Sequence, residues 1–172
     1  TIKILAGVLK PNVGEPESEG KDITDLIHMF KGTEIQQFLE RVKKGKVTVS
    51  YKPQAVNLIP KQIKGKVKDL LKKADQKGEM DRMVKELEIE NILGNDIADI
   101  SGGEMQRVAV AAAALKKANV YFFDEPSSFL DITARMKVAR LIRSLATPET
   151  SVLVIEHDLA TLDYISDQIH IV

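Results

Sequence analysis

Two four-residue apolar runs, 120–123 (Val-Tyr-Phe-Phe) and 152–155 (Val-Leu-Val-Ile), each break off into acidic residues, and a stretch of helical spacing at 132–146 separates them. Short apolar runs without alternation suit strands covered on both faces, and such strands belong to parallel sheets. A further helical stretch at 159–165 and a strand-like segment at 168–172 follow. The second half therefore reads strand, helix, strand, helix, strand. That order predicts an α/β fold, a parallel sheet flanked by helices. Ligands of such sheets gather at the carboxyl ends of the strands, so the residues after Phe123 and Ile155 are where chemistry is expected.

Upstream, the spacing predicts a helix over 2–9, a Pro- and Gly-marked loop over 10–20, and helices over 22–30 and 34–44 with Thr33 as a cap. Residues 46–51 alternate like a strand, which Lys52-Pro53-Gln54 ends. Short helices broken at Gly78 and near Glu88 fill 66–93, and an Ala-rich helix covers 102–117. At 172 residues the chain is one domain or a large piece of one. It begins at Thr1, already in a helical pattern, and is expected to start inside a fold and be truncated at its N-terminus.

Charge balance limits the partners. Lys plus Arg and Asp plus Glu are both 25, so no global charge draws the chain to nucleic acid or an anionic membrane. Locally, residues 41–77 hold twelve Lys or Arg against Asp69 and Asp75. That is either a solvated surface or a face that meets phosphates such as those of RNA. With no cysteine, the chain holds no disulfide, thiolate zinc site or thiolate-held cluster of its own. A reducing, cytoplasmic location is expected. The longest wholly apolar run, 108–115, is too short to span a bilayer, and no membrane partner is expected.

One segment imitates a phosphate-binding loop. Residues 14–22 (Gly-Glu-Pro-Glu-Ser-Glu-Gly-Lys-Asp) approach G-x-x-x-x-G-K-[ST] but carry one residue too many between the glycines. Asp22 replaces the magnesium-binding hydroxyl, three glutamates would repel a triphosphate, and no strand precedes the segment.

Four other places carry chemistry. Ser101-Gly102-Gly103-Glu104 has the form of a capping box ahead of a helix. Two glycines in the first turn, each about 1 kcal/mol worse than alanine, also suit a phosphate approaching the amides at a helix N-terminus. Both readings stand at this point. Asp124 and Glu125 are adjacent carboxylates at a strand end. Asp124 suits a magnesium contact and Glu125 a general base. His157, after the next strand, would reach the same edge if the two strands are neighbours. Gln54, after the earlier strand, can offer a carbonyl oxygen to magnesium.

Taken in order, these residues resemble an ABC-type ATPase domain of the P-loop NTPase class. Gln54 corresponds to the Q-loop, and Ser101 to Gln106 to the signature motif, with Ile100 where leucine is usual. Residues 120–125 correspond to the Walker B strand and its catalytic glutamate. Residues 127–131, ending in Asp131, correspond to the D-loop, and His157 to the switch histidine. The wording Phe30-Lys31-Gly32-Thr33, Lys52-Pro53-Gln54, S-G-G-E-M-Q-R and F-D-E-P-S-S-F-L-D is similar to the first ATPase domain of the twin-ATPase ribosome-recycling, or RNase L inhibitor, family. Phe129 stands where that family usually has tyrosine.

The resemblance implies a partial nucleotide-binding domain over 1–172. Its parts are a helix–loop–helix insertion at 22–44, a helical signature subdomain at 66–117 and a Walker B, D-loop and H-loop core at 118–172. It implies ATP and Mg2+ as ligands, with Gln54, Asp124, Glu125 and His157 acting on the domain's own nucleotide. Ser101, Gly102, Gly103 and Glu104 act on one held by a second ATPase domain of the same protein, and Asp131 of the D-loop is a further nucleotide-binding residue. Iron–sulfur clusters belong to an N-terminal domain outside this chain. The small ribosomal subunit and a release factor are the implied partners, and ribosome splitting the implied function. No Walker A loop is present. In the family Leu5-Ala6-Gly7 lies just after it, so the loop is expected immediately upstream of Thr1, and this chain alone is expected to bind ATP poorly. Two rival readings are the ATPase subunit of a transporter, which would co-purify with membranes, and a catalytically inactive piece acting as a binding surface.

Overall fold

The computed structural model describes residues 23–170. The helix expected at 2–9, the loop at 10–20, the imitation phosphate loop at 14–22 and the last two residues of the strand expected at 168–172 lie outside the described residues. The chain divides into two compact units, residues 1–49 and 50–172.

The described part of the first unit is a pair of packed helices, α1 (Ile23–Met29) and α2 (Glu34–Lys43). Thr33 caps α2 by accepting from the Gln36 amide, and the Gln36 side chain accepts from Gly32 at 2.7 Å. Gly32 has φ +83, a backbone angle glycine adopts without a Cβ penalty. Leu26 and Leu39 are the buried residues, and Lys43 Nζ donates to Thr24 Oγ1 at 2.8 Å. At the far end of α2, Gly45 donates to the Val42 carbonyl and Lys46 to that of Arg41, with Gly45 at φ +65. This is a Schellman closure. It spends the Lys46 amide on the helix, and so strand β1 is Val49–Lys52 rather than the expected 46–51.

In the second unit the described strands form one sheet in the order β1-β2-β3, with β2 at Val120–Asp124 and β3 at Ser151–Ile155. Strands β2 and β3 are parallel, pairing Phe123 with Val154 and Asp124 with Ile155. Helices α3 (Ile59–Gln62), α4 (Val67–Ala74), α5 (Met80–Glu86), α6 (Gly102–Ala114), α7 (Ile132–Ser144) and α8 (Leu159–Ile165) complete it. The fold is α/β, as the order of elements predicts.

Helix α6 sits at the centre. Val108, Val110, Ala111 and Ala114 are wholly buried, and α4, α5, α7 and β2 all pack on it. Its run of alanines lets four neighbours approach closely while burying apolar area at about 25 cal/mol per Å². It stops at Ala114, short of the expected 117. The Leu115 carbonyl accepts from Gln76, and Gln76 Oε1 accepts from the Lys117 amide, so this loop takes the groups that would continue the helix. The break at Gly78 is made by Asp75, whose carboxylate accepts from the amides of Lys77, Gly78, Glu79 and Met80. Partial burial opposes its charge, but these four amides outweigh that and hold the Asp75 carboxyl below the usual range.

Every residue of β2 is buried, with Tyr121 and Phe123 stacked at 6.5 Å between ring centres. Strand β3 differs from the expectation of a buried strand. Val152 and Val154 pack on the core, but Leu153 and Ile155 are 39% and 38% exposed. The pleat sends alternate residues to opposite faces, and no element among the described residues closes over the second face. Residues 168–170 are not in a strand.

Candidate active site

The parallel pairing brings the ends of β2 and β3 together, which puts Glu125 and His157 at one edge. His157 Nε2 lies 3.3 Å from Glu125 Oε1. Gln54, from the turn after β1, reaches the same oxygen, its Nε2 donating at 2.6 Å. Ser128 Oγ donates to Oε2 at 3.1 Å. Two segments far away in sequence, at Gln54 and His157, therefore converge with the neighbouring Ser128 on one carboxylate. Its side chain is 20% exposed, against 82% for that of His157. A small opening to solvent on an acid fixed by its neighbours, beside an exposed imidazole, suits a group that accepts a proton from a bound water.

Asp124 ends β2 and is 9% exposed. Tyr51 donates its hydroxyl to Asp124 Oδ2 at 3.1 Å. Burial, and then this hydrogen bond and the Asp124 charge, push the Tyr51 hydroxyl up to about 12. Lys52 is 1% exposed and donates to the Asp124 carbonyl at 2.7 Å and the Glu125 carbonyl at 3.1 Å. Burial pulls its ammonium down to about 8, against the opposite pull of Asp124, Glu125 and Glu156.

Mg2+ prefers hard oxygen ligands and keeps several sites for water and phosphate, so one or two protein oxygens suffice. Asp124 and the Gln54 amide oxygen are such donors. Among the described residues no group of three or more His, Cys, Asp or Glu is assembled to hold a metal unaided. The donor set fits an ion shared with a phosphate ligand.

The signature turn is a complete capping box. Ser101 Oγ accepts from the Glu104 amide, and Glu104 Oε2 accepts from the Ser101 amide at 2.8 Å and its hydroxyl at 2.7 Å. The Ser101 hydroxyl, then its amide, hold the Glu104 carboxyl below the usual range. The two glycines differ. A Cβ on Gly103 would lie 3.0 Å from the Phe129 carbonyl oxygen, whereas one on Gly102 would meet only the Phe129 ring at 3.8 Å. Close packing of the 127–131 loop thus explains Gly103. Gly102 is exposed and free of such a demand.

Phe129, 75% exposed with φ +65, lines two hollows. One of about 600 Å³ is lined by Gln54, Gly102, Met105, Glu125 and Ser128. The other, about 400 Å³, is lined by Ser101, Gly103, Glu104, Arg107 and Asp131. Asp131 itself caps α7, accepting from the Ala134 amide at 2.8 Å.

The sequence reading missed Tyr51, Lys52, Gln106, Ser128 and Glu156. Gln106, fully buried in α6, donates to the Glu125 carbonyl at 2.6 Å. Glu156 accepts from the amides of Ser127 and His157, tying the loop after β2 to the loop after β3. A lysine and a glutamine at inward positions of a strand and a core helix were the available signal.

A family model described as ABC transporter matches residues 1–128. An uncharacterized ABC transporter ATP-binding protein of Methanocaldococcus jannaschii is 51% identical over 170 residues, 99% of this chain and 28% of that protein. Translation initiation factor RLI1 of Saccharomyces cerevisiae is 42% identical over 176 residues, 99% of this chain and 29% of that one. The solved archaeal ribosome recycling factor, in complex with an archaeal ribosomal stalk protein, superposes with a TM-score of 0.91 at 52% identity, over 96% of this chain and 32% of that one. The chain spans less than a third of the length of each of these relatives.

Proposed function

The chain belongs to the ABC transporter family of ATP-binding domains, and from that premise we propose that it is part of one ATP-hydrolysing half of a twin-ATPase protein that splits ribosomes into subunits. The observation that carries this reading is the meeting of Gln54, Ser128 and His157 on the carboxylate of Glu125. The likeness to a ribosome recycling factor supports the ribosomal part.

Hydrolysis of a terminal phosphate requires little covalent help from a protein; it requires a positioned water and stabilised charge. Glu125 accepts the proton of that water. Gln54 and Ser128 fix its two oxygens, and His157, at the rim, turns between the carboxylate and a phosphate oxygen. Asp124 and the Gln54 carbonyl oxygen would hold Mg2+. When bound, the ion supplies positive charge to the phosphate oxygens.

Ser101, Gly102, Gly103 and Glu104 act in the same proposal on a nucleotide held by the second ATPase domain, and Asp131 is a further nucleotide-binding residue. The exposure of Ser101, Gly102 and Asp131 supports a surface that another domain completes. Residues 22–44 form the insertion against the small subunit, 66–117 the helical subdomain and 118–172 the catalytic core. The excess of basic residues over 41–77, apart from the buried Lys52, suits that partner. A release factor, an iron–sulfur domain outside this chain and a cytoplasmic location complete the reading.

The test is Glu125→Gln in the full-length protein, followed by phosphate release and by ribosome sedimentation. Losing a positioned base lowers turnover by about 10²–10⁴, and the variant is expected to remain closed on ATP. Undiminished turnover would remove Glu125 from this role. Wild-type protein that hydrolyses ATP yet leaves ribosomes intact would remove the ribosomal part.

A further inference from the structure

We propose that Lys52, aided by Gln106, is a positioning residue for Glu125: the two side chains fix the carbonyls on either side of the Glu125 α-carbon and so aim its carboxylate. This rests on the reading of Glu125 as the base.

The backbone at Glu125 is in an unfavourable place. Its φ is +46, a region that non-glycine residues rarely occupy. It also precedes Pro126, whose ring steers the preceding residue toward extended conformations. Such a conformation persists only when its surroundings over-determine it. Two peptide groups set the angles of Glu125. The group before it is held at both ends, since the Glu125 amide donates to the Ile155 carbonyl at 2.8 Å and the Asp124 carbonyl accepts from Lys52 at 2.7 Å. The group after it has no N–H, because residue 126 is proline. Its carbonyl is the one handle it has, and besides a long 3.4 Å turn contact from the Ser128 amide that carbonyl accepts from two side chains, Lys52 at 3.1 Å and Gln106 at 2.6 Å.

Neither donor has another evident task. Lys52 is buried at the end of β1 with its ammonium on these two carbonyls. The Gln106 Oε1 atom is buried with no hydrogen-bond partner among the described residues, so the Glu125 carbonyl is the contact its amide satisfies. Gln106 lies one turn beyond the Ser101 cap on α6. It therefore ties the aim of the carboxylate to the helix that carries the signature turn.

The experiment is steady-state ATP hydrolysis by the full-length protein with Lys52→Met, Gln106→Met, the double variant and Glu125→Gln. A misaimed base is expected to lower kcat by about ten- to a hundred-fold while the KM for ATP shifts less than about twofold. Gln106→Met is expected to act in the same direction, and the double variant to lose less than the product of the single losses, because both side chains hold one carbonyl. Wild-type kcat in Lys52→Met, or losses that multiply, would overturn the proposal while an inactive Glu125→Gln left the base assignment standing. An active Glu125→Gln would instead end the base assignment itself. If Lys52→Met does not yield folded protein, Gln106→Met decides alone: a lowered kcat at constant KM supports the proposal and an unchanged kcat refutes it.

Discussion

Replacing Lys52 by methionine should change how the stability of this protein depends on pH. Lys52 is 1% exposed. Burial lowers its ammonium from 10.5 to about 8, even though Asp124, Glu125 and Glu156 pull the other way. The folded state thus holds this proton less tightly than the unfolded chain. Below about pH 8 both states are protonated, and the burial penalty stands in full. Between about 8 and 10.5 the unfolded chain keeps the proton and the folded chain releases it. Stability then rises with pH by about 1.4 kcal/mol per unit, about 3 kcal/mol over the whole shift. From about pH 7 to about pH 9.5 the gain due to Lys52 is about 2 kcal/mol. Tyr51, pushed up to about 12, has the opposite sign: its stabilisation is present below about 10 and is lost as pH rises toward 12. The measurement should therefore stop short of pH 10. Methionine keeps the stem and removes the charge, but leaves the Asp124 carbonyl without its ammonium donor, a loss of about 1–3 kcal/mol. Urea denaturation of the wild-type and Lys52→Met proteins at matched ionic strength gives the difference at each pH. That difference should move toward the wild type by about 2 kcal/mol across this range. A difference that stays constant with pH would refute the account of Lys52 as a buried, desolvated cation.

Gly103→Ala should destabilise by about 1–3 kcal/mol in thermal denaturation, since its Cβ meets backbone at 3.0 Å and forces the 127–131 loop to shift. Gly102→Ala, with only the Phe129 ring at 3.8 Å, should be neutral or slightly stabilising; equal losses at the two positions would remove the packing explanation. Ser101→Ala should cost about 1 kcal/mol by removing the cap of α6. Because Ser101 holds the Glu104 carboxyl below its ordinary range, that contribution is present in full above the usual carboxylate pKa and is lost as pH falls below it, through the lowered value of the folded state; urea midpoints of the two proteins should therefore approach each other in acid.

The elements that obey local rules were legible in the residues themselves. Thr33 and Ser101 read as caps because a hydroxyl three residues before an amide is a local arrangement. The apolar run before Asp124 read as a buried strand, and the parallel order followed from the helix between it and the next run. With the strands placed side by side, Glu125 and His157 had to meet. Local reading failed where a group's partner is distant. The Lys46 amide went to the end of α2 rather than to a strand. Leu153 and Ile155 form an apolar run like that of β2, but nothing among the described residues covers their face. Gly103, read in the sequence as part of a helix cap or a phosphate site, has a carbonyl of the 127–131 loop against it.

Lys52 is the sharpest case. In the sequence it is a basic residue among many between 41 and 77, expected in water. In the fold it is among the largest fully buried side chains, because the two carbonyls that accept from it lie 72 and 73 residues away. Spacing and capping act over a few residues and are written in their order. Whether a charge is solvated, and which carbonyl takes its proton, depends on which remote strands become neighbours, and only the assembled sheet decides that.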